Sequence, residues 1–402
     1  MNQQKKKILI IGHYPPPYGG IASHIRDMAE RLSKNYFFIN ILSFEKKFKE
    51  EQLNNFCKLF RVINKLSISL LFFYLINIKK IIRIFLNLWS IKISSWNFFS
   101  ALNRALIAKF YLVKLKIRTV AVYGTETGEI IPFLKFLSPN INICFTFYAA
   151  PIKDKNFFLY NIKFWKKVFL QSDKLSSSSN FCASGAKLIE KNIKVEVIYT
   201  GIELSRFKFK NDNFFLNKKI KKILFVGRMR KEMGVMSVID IAKKMISLRK
   251  DVVFDIVGAS GDLNDDVINI SETSGDKINY KFDVTDQELD YFINNCDILI
   301  APTIGAHACM GVSAKEALAA GIPVVASDSG GLPEAIENNS EGFIVPLKNG
   351  EIDVNEYCKF INILCDQDKM RLEFGKKARL KAERLFSNDI TEKKVSSFFT
   401  FE

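Results

Sequence analysis

Two stretches in the second half of the chain carry residues suited to binding a diphosphate. Arg228 directly follows the apolar run in KKILFVGRM, and a guanidinium can pair with phosphate oxygens through two hydrogen bonds at once. Gly311, Val312 and Ser313 open a predicted helix, whose free N–H groups and positive dipole end attract an anion. Glu316 lies one turn further along and can accept hydrogen bonds. These residues predict a site that binds a diphosphate and stabilises negative charge as it develops there.

The loop HYPPPYGG is the corresponding feature of the first half. His13 lies in this loop, and Gly19 and Gly20 form a turn before a helical pattern. Histidine is scarce, with three residues at positions 13, 24 and 307, which argues against a multi-histidine metal site. The seven cysteines contain no CxxC pair, so they predict neither a zinc site nor a disulfide framework. We expect them to be reduced core residues of a cytosolic protein.

The elements that must position these residues form two α/β halves. The first half opens with a strand at Lys7–Gly12, the loop, and a helix with apolar residues at helical spacing from Ile21 to Leu32, which is the first unit of a doubly wound fold. The second half restarts the pattern at KKILFVG and ends with the strand EGFIVP.

A length of 402 residues fits two domains. We place them at 1–210 and 211–385, with a linker at 211–213 and a C-terminal helix, 386–402, that returns to the first domain. Further strands of the first half are predicted at Tyr36–Ser43, Thr119–Tyr123, Asn140–Phe147, LSSSSNFCAS and VEVIYTGIEL.

A basic segment without acidic residues interrupts the first half. From Gln52 to Thr125 there is no Asp or Glu, whereas twelve Lys or Arg fall there, so this stretch supplies twelve of the chain's net charge of +17. Large apolar residues such as Phe72, Phe73 and Trp89 are interleaved with them. This pattern predicts that the segment 52–118 faces an anionic membrane. The alternative is an ordinary helical core layer with a solvated basic rim, and nucleic acid is disfavoured because Leu and Ile offer bases no stacking platform.

No export signal or spanning helix is expected. The first apolar run is interrupted by Gly12, which is too early for a signal peptide. The longest uncharged run, LSISLLFFYLINI between Lys65 and Lys79, is shorter than the ~20 residues that a spanning helix needs. We therefore expect a cytoplasmic protein that is peripheral on the inner face of the cell membrane.

Four motifs, in this order along the chain, resemble those of the GT-B glycosyltransferases, in particular the large retaining group called family 4 or group 1. They are the loop YPPPYGGIASHI, the strand end VIYTGIEL, the loop VGRMRKEMGV and the stretch from ILIAPT to EGFIVP at 298–346. The resemblance covers nearly the whole chain apart from 52–118. It implies an α/β fold of two Rossmann-like doubly wound domains facing across a cleft, with a nucleotide-sugar donor bound by the second domain. It also implies that Glu316 accepts hydrogen bonds from the ribose and that Gly19 and Gly20 face the donor.

The chain departs from the family pattern at several positions of the expected site. The family pairs two acids eight residues apart, but the position eight residues before Glu316 is Ala308. The lysine of its phosphate loop falls on Met233, with Lys231 and Arg230 as the nearest cations, and its first-domain histidine falls on Tyr148. The asparagine and aspartate of its strand end fall on Thr200 and Glu203.

The resemblance and the chemistry together define a predicted set of site residues. Catalytic roles are assigned to Glu316, Arg228 and His307, the last of which flanks the missing acid and is placed against the sugar. The alternatives are a helix-face charge for Glu316, a surface ion pair for Arg228, and loop residues without a role for His13 and His307. Substrate binding is assigned to Gly19, Gly20, His13, Tyr148, Lys231, Gly311, Val312, Ser313 and Val284.

Two functions are compatible with these residues. The favoured one, implied by the resemblance, is a retaining transferase that moves a sugar from a nucleotide-sugar, with UDP favoured over GDP, to a glycan or lipid-linked glycan in surface polysaccharide or lipopolysaccharide assembly. The family's front-side route needs no enzymic base. The alternative is a catalytically weak GT-B protein that binds a ligand or partner, as Ala308, Met233 and Tyr148 suggest. No metal or other cofactor is expected, because arginine and the helix dipole neutralise the diphosphate.

Overall fold

The computed structural model describes residues 5–15, 20–45, 49–63, 75–88, 95–148, 161–209, 218–305 and 309–401. The chain divides into two compact units. The first comprises Met1–Ile198 and Thr391–Glu402, and the second comprises Tyr199–Ile390. Each unit is built on its own largely parallel sheet, so the two α/β halves predicted from the sequence are confirmed.

The first unit holds an eight-stranded sheet in the order β3-β4-β2-β1-β5-β6-β7-β8. Its strands are β1 (Lys6–Ile11), β2 (Phe37–Glu45), β3 (Lys49–Asn54), β4 (Cys57–Ile63), β5 (Thr119–Tyr123), β6 (Asn142–Phe147), β7 (Lys174–Ser177) and β8 (Glu196–Val197). Its helices are α1 (Gly20–Asn35), α2 (Ile78–Leu88), α3 (Ser95–Leu115), α4 (Thr125–Gly128), α5 (Ile131–Leu137), α6 (Ile162–Leu170) and α7 (Asn180–Ile189).

Strand β1 is the centre of the first sheet. It pairs in parallel with β2 on one side and β5 on the other, and its residues Ile8–Ile11 are all buried. This burial on both faces explains why β1 is a continuous apolar run. The strand order reverses between β1 and β5, so the loops after these strands lie at the topological switch point where α/β sheets bind ligands.

The basic segment 52–118 supplies two elements to the core of the first unit. It contributes β4, which pairs in parallel with β2 and antiparallel with β3, and α3, in which residues such as Ala105, Leu106 and Ala108 are fully buried. The prediction that the whole segment faces a membrane is therefore wrong for these two elements, because both supply side chains to the sheet and its covering layer. Phe98 is buried and packs edge-to-face on Phe133. Phe72, Phe73 and Trp89 lie outside the described residues.

Among the described residues of this segment, α2 and the residues just before it present an exposed apolar and cationic face. Ile76, Ile78 and Ile82 are exposed there, and so are Lys79 and Arg83. No helix in the described parts of the chain combines the length and the apolar content that a membrane crossing would need.

One predicted strand of the first unit, LSSSSNFCAS, is a strand in its first part and a helix in its second part. The segment LSSSSNFCAS supplies β7 only as far as Ser177, and Ser179 then caps α7 by accepting a hydrogen bond from the backbone N–H of Cys182. Serine favours such N-cap positions because its hydroxyl satisfies a helix N–H that has no other partner. The serine run therefore ends the strand and begins the helix.

The second unit holds a six-stranded, fully parallel sheet in the order β11-β10-β9-β12-β13-β14. Its strands are β9 (Lys221–Val226), β10 (Val252–Gly258), β11 (Ile278–Phe282), β12 (Ile298–Ala301), β13 (Val324–Ser327) and β14 (Gly342–Val345). Its helices are α8 (Val235–Leu248), α9 (Asn264–Thr273), α10 (Asp286–Asn295), α11 (Val312–Ala319), α12 (Leu332–Ala335), α13 (Val354–Asp366) and α14 (Asp368–Lys381), and α15 (Asn388–Phe398) follows. Counted within the unit, this is the strand order of the Rossmann fold, with its switch point between β9 and β12.

The chain enters the second unit before the linker expected at 211–213, which lies outside the described residues. Ile202 and Phe207 are buried in the core of the second unit. Ile202 also forms a parallel bridge with Ser387, donating its N–H to Phe386 O at 2.6 Å. The structural division therefore falls after Ile198 rather than after residue 210.

The C-terminal residues belong to the first unit. Glu392 of α15 pairs with Arg31 at 3.1 Å, and the ring of Phe399 packs near those of Phe37 and Tyr123. These contacts explain why residues from Thr391 onward are assigned to the first unit.

Candidate functional site

The loop after β9 is fixed by its backbone and exposes Arg228. Gly227 N donates to Val257 O and Met229 N donates to Ala259 O, each at 3.0 Å. The side chain of Met229 is fully buried. Arg228 stands between these two anchored residues and is exposed, and its side chain makes no hydrogen bond or ion pair within the part of the chain that the structure describes. Its guanidinium is therefore available to an anion.

Close backbone contacts hold this loop against the end of β12. Gly234 has φ +79°, and a Cβ at this position would lie only 1.8 Å from Pro302 O. Ile304 N also donates to Glu232 O at 3.0 Å. Only glycine fits this combination of left-handed backbone and close approach. The contact joins the loops that follow the neighbouring strands β9 and β12 at the switch point.

Lys231 is the best-placed lysine of this loop. Met233, which occupies the family's lysine position, is partly buried and packs against the hydrophobic core. Lys231 is exposed and has no partner among the described residues. Arg230 is also exposed, but its Nη1 lies 3.8 Å from Glu232 Oε1. The structure therefore favours Lys231 over Arg230 as the second cation.

The N-terminus of α11 follows β12 and carries no side-chain cap. Gly311 has φ 64° and makes no side-chain cap hydrogen bond, so the first N–H groups of the helix have no intrahelical partner. Val312 is 39% exposed and Ser313 is half-buried. The preceding segment is anchored, because Ser327 Oγ donates to Thr303 O and Tyr357 OH donates to Ala301 O at 3.2 Å.

Glu316 is a buried carboxyl one turn into α11. It is 6% exposed, and no hydrogen bond to its carboxyl is found within the described ranges. Burial raises the pKa of Glu316 to about 7, and the Arg206 charge opposes that shift. A carboxyl with unused acceptor capacity is suited to hydroxyl groups of a ligand.

Two neighbours of Glu316 come from other elements and were missed by the sequence analysis. Arg206 Nη1 lies 4.0 Å from Glu316 Oε1. Arg206 in turn makes a two-pronged pair with Asp290 of α10, with Nε–Oδ2 at 3.1 Å and Nη2–Oδ1 at 2.6 Å. No motif or period links these positions in the sequence, so only the packing reveals the contact.

Lys315 joins two motifs that are distant in the sequence. It is completely buried, and its Nζ donates to Thr200 O at 2.7 Å. Burial lowers the pKa of Lys315 to about 7, against the opposing effect of Glu316. Because the contact uses the carbonyl of Thr200, it does not depend on the asparagine that the family has at this position.

The predicted residues of the first unit lie after its central strands. His13 is exposed after β1, whereas Tyr148 is largely buried after β6. His24 of α1 was not assigned a role from the sequence, yet its ring centroid lies 6.4 Å from that of Tyr148 and 6.0 Å from that of Tyr123. Arg61 of β4 holds the loop by donating to the carbonyls of Tyr14 and Pro15. The structure thus brings two aromatic rings and a histidine together beside the loop.

Some predicted positions cannot be placed in a site. Gly19, His307 and Ala308 lie outside the described residues, and Gly20 is the first residue of α1. Val284 follows β11 at the same edge of the second sheet and packs, half-buried, against its core. The described residues contain no group of three or more His, Cys, Asp or Glu side chains arranged to hold a metal ion.

Comparison with known proteins agrees with this geometry. Residues 207–381 match the family model described as glycosyl transferases group 1. The chain is 28% identical over 216 residues to a 41.2 kDa protein of the cps region of Klebsiella pneumoniae, covering 48% of this chain and 55% of that protein. It spans about half the length of the first curated relatives it matches.

Two further relatives extend the comparison. A glycosyltransferase of Methanocaldococcus jannaschii is 24% identical over 403 residues, covering 93% of each chain. The capsular polysaccharide biosynthesis glycosyltransferase CapM of Staphylococcus aureus is 24% identical, covering 54% of this chain and 62% of that protein.

Solved structures share the fold at low identity. Sucrose-phosphate synthase from Thermosynechococcus elongatus matches with a TM-score of 0.78 and 15% identity over 98% of each chain. HepE from Anabaena, crystallised with UDP-glucose, matches with a TM-score of 0.70 and 12% identity over 97% of this chain and 98% of that one. The two doubly wound units and these structural matches show the GT-B fold, and the second unit matches the group 1 glycosyl transferases over residues 207–381.

Proposed function

We propose that the protein is a retaining glycosyltransferase that moves a sugar from a nucleotide-sugar donor to a glycan or lipid-linked glycan in surface polysaccharide assembly. One observation carries this proposal. At the switch point of the second sheet, exposed Arg228 and Lys231 and the uncapped N-terminus of α11 lie after the neighbouring strands β9 and β12. Buried Glu316 follows within the same helix. This set offers cations and N–H groups to a diphosphate and a carboxylate to a ribose.

In the proposed reaction, the bond between the anomeric carbon and the diphosphate breaks while the acceptor oxygen bonds to the same carbon. The proton of the acceptor hydroxyl passes to the leaving phosphate oxygen, which is the front-side route. Arg228 and the helix N-terminus stabilise the charge that grows on the diphosphate. This route requires neither an enzymic base nor the acid that Ala308 replaces. It also assigns no step to a metal.

We favour UDP as the nucleotide because HepE, a structural neighbour, was crystallised with UDP-glucose. Glu316 is placed on the ribose and Val284 beside the nucleoside, whereas His307 and Gly311–Ser313 are placed toward the sugar and the diphosphate. In the first unit we assign Gly19 and Gly20 to the donor side and His13 and Tyr148 to the acceptor side. Support for the acceptor side comes from the ring of Tyr148, which lies 6.4 Å from that of His24, because such a ring combines an apolar face with a polar group.

We infer surface polysaccharide assembly from the relatives. CapM is named for capsular polysaccharide biosynthesis, and a further relative, AmsK of Erwinia amylovora, is named for amylovoran biosynthesis. A lipid-linked acceptor would place the protein at the inner face of the cell membrane. The exposed face of α2 supports this location, because its apolar Ile78 and Ile82 lie beside Lys79 and Arg83, the pattern of a helix that lies on an anionic surface.

One observation favours the alternative, a protein that binds a donor without turnover. The lysine position of the phosphate loop is occupied by Met233, which packs against the core and cannot contact a phosphate. In this alternative Arg228 and Glu316 would hold the nucleotide, but too little charge stabilisation would remain for transfer.

A two-part measurement tests the proposal. Thermal unfolding is followed with UDP-glucose, GDP-mannose and ADP-glucose, because a ligand that binds the folded state raises the transition temperature. Slow release of the nucleotide from the stabilising donor is then measured, with Arg228→Ala as the inactive control. Stabilisation with release supports the transferase, and stabilisation without release even after extended incubation supports the alternative. If none of the three donors stabilises the protein, both are contradicted.

A further inference from the structure

The carboxyl of Glu316 has a cationic neighbour that the family motifs do not include. Arg206 Nη1 lies 4.0 Å from Glu316 Oε1. Arg206 belongs to the short 3-10 turn Leu204–Arg206, far from α11 in the sequence. At this separation the two groups interact electrostatically without a direct hydrogen bond. Arg206 can therefore influence the carboxylate while leaving its oxygens open to a ligand.

The orientation of Arg206 is determined by other contacts. Its Nε and Nη2 atoms bond to the carboxylate of Asp290, with Nη2–Oδ1 at 2.6 Å. Its backbone carbonyl accepts a hydrogen bond from Asn294 Nδ2 at 3.1 Å, and its guanidinium lies 5.3 Å from the ring of Phe207. Because one edge of the guanidinium is occupied by Asp290, Nη1 remains directed at Glu316.

The other charged groups around Glu316 partly oppose one another. Asp286 and Asp290 of α10 both raise the pKa of Glu316, whereas Arg206 and Lys315 lower it. Lys315 lies on the same helix, but its ammonium is bonded to Thr200 O. Of these two cations, Arg206 lowers the pKa of Glu316 more strongly than Lys315 does.

We infer that Arg206, held by Asp290, is a positioning residue that keeps the Glu316 carboxylate ionised and directed at the ribose hydroxyls of the bound nucleotide. This inference rests on the proposed function, because it requires a nucleotide in the site. Arg206 itself contacts neither the ribose nor the reacting atoms. Its effect passes through Glu316 alone.

The consequence is a specific dependence on pH. Ribose hydroxyls donate to a carboxylate, so the ionised form of Glu316 binds them more strongly than the protonated form. Burial already raises the pKa of Glu316 to about 7, and loss of Arg206 removes a group that lowers it. In an Arg206 variant, Glu316 would therefore stay protonated to higher pH, and nucleotide binding would need a more alkaline solution.

The experiment compares UDP with 2′,3′-dideoxy-UDP by titration calorimetry between pH 6 and 9. Both probes carry the same phosphates, so the ratio of their dissociation constants cancels phosphate titration. For the wild type we expect UDP to bind more tightly, with the advantage increasing as pH rises through about 7. For Arg206→Gln we expect roughly a tenfold loss of UDP affinity at pH 7, recovery at pH 9, and little change with the dideoxy probe. Arg206→Lys keeps a cation and should retain most of the advantage.

Three further variants make the result decisive. In Glu316→Gln the advantage of UDP should become independent of pH, and adding Arg206→Gln to it should cause no further loss. Asp290→Asn loosens the guanidinium but also removes a carboxylate that raises the pKa of Glu316, so its loss of UDP affinity should be smaller than that of Arg206→Gln. Arg249→Gln is the matched control, since Arg249 pairs with Asp251 in the same unit at 2.8 Å and lies outside the proposed site. All variants are first shown to be folded by thermal unfolding.

Different outcomes would contradict the inference about Arg206 and the proposed function. If Arg206→Gln weakens both probes equally, or weakens UDP equally at every pH, Arg206 has only a structural role and the inference is overturned. If the wild type binds neither UDP nor its dideoxy form, repeating the pair with GDP and ADP tests the other bases. Absence of binding in all of them contradicts the proposed function itself.

Discussion

Arg228 and Arg230 are two residues apart on one loop, yet their surroundings differ. Arg228 has no partner within the described ranges, whereas Arg230 lies 3.8 Å from Glu232. A guanidinium without a protein partner gains most from an anionic ligand, because none of its interactions must be broken first. For this reason we propose Arg228 as the residue that binds the donor, whereas Arg230 forms a surface ion pair.

We expect Arg228→Ala to weaken donor binding without affecting the fold. A charge-assisted hydrogen bond contributes about 1.5–3 kcal/mol, so the dissociation constant for UDP should rise roughly 10- to 100-fold. Calorimetric titration measures this change, and Arg230→Ala is the control on the same loop. Equal and small effects of the two substitutions would remove Arg228 from the site.

At the scale of elements, glycine contacts determine how the loop after β9 is held. Gly234 and Gly275 both have left-handed backbones, with φ of +79° and +60°. A Cβ at Gly234 would lie 1.8 Å from Pro302 O, whereas a Cβ at Gly275 would meet nothing within 4 Å. A residue with a Cβ would therefore be strained by the left-handed backbone at both positions, but it would clash with a neighbour only at Gly234.

We expect Gly234→Ala to destabilise the protein more than Gly275→Ala. The left-handed backbone costs about 1–2 kcal/mol for a residue with a Cβ, and this is the whole cost expected at Gly275. At Gly234 the loop must also move away from Pro302, so donor affinity should fall as well. Urea unfolding and UDP titration measure the two effects. A Gly234→Ala protein with the affinity and stability of Gly275→Ala would show that this contact does not position the loop.

Helix α2 is the element through which a membrane would be contacted. The helix is anchored to the first unit, because Lys80 Nζ donates to Leu137 O at 3.1 Å. Its exposed side presents Ile78 and Ile82 at 48% and 52% exposure. This arrangement leaves an apolar and cationic face without a role in the core of the first unit.

We expect Ile78→Ser with Ile82→Ser to weaken association with vesicles containing phosphatidylglycerol. Each isoleucine that enters the interface removes apolar area from water, so its loss should lower the bound fraction at any salt concentration. Vesicle sedimentation measures binding, and Leu188→Ser, at a residue of α7 that is even more exposed at 67%, is the control. Unchanged sedimentation of the double variant would show that α2 is not the contacting element.

At the scale of the whole molecule, the net charge of +17 is the dominant feature. Twelve of these charges come from residues 52–118, where β4 and α3 are mostly core. The basic character of the segment therefore does not imply that all of it is a binding surface. It does raise the positive potential around the first unit, which attracts anionic surfaces.

We expect association of the protein with anionic vesicles to fall steeply with salt. Screening shortens the reach of exposed charges to ~8 Å at physiological ionic strength, so binding to phosphatidylglycerol vesicles should decrease between low and high salt. Neutral phosphatidylcholine vesicles serve as the control and should bind little at any salt. Salt-independent binding to both vesicles would indicate that charge does not drive the association.

Much of the fold could be predicted because strand, loop and helix are local patterns. Buried parallel strands such as β1 and β9 appear as apolar runs, and glycines such as Gly234 punctuate the loops that follow. The end of β7 could not be predicted, because the serine run suits both a strand and an N-cap. The hairpin β3–β4 was also missed, since its exposed strand β3 lacks an apolar pattern.

The sequence by itself determined two Rossmann-like units and placed an arginine at 228, a helix start at 311–313 and an acid at 316, because each depends on residue type and local order. The tertiary structure alone decided which basic residues are core, that Met233 packs half-buried against the core while Lys231 is exposed, and that Arg206 lies beside Glu316. The physical reason is that these outcomes depend on which elements the sheet order brings into contact. Side chains that are distant in the sequence come into contact only when the strands and helices that carry them are packed together in the folded protein.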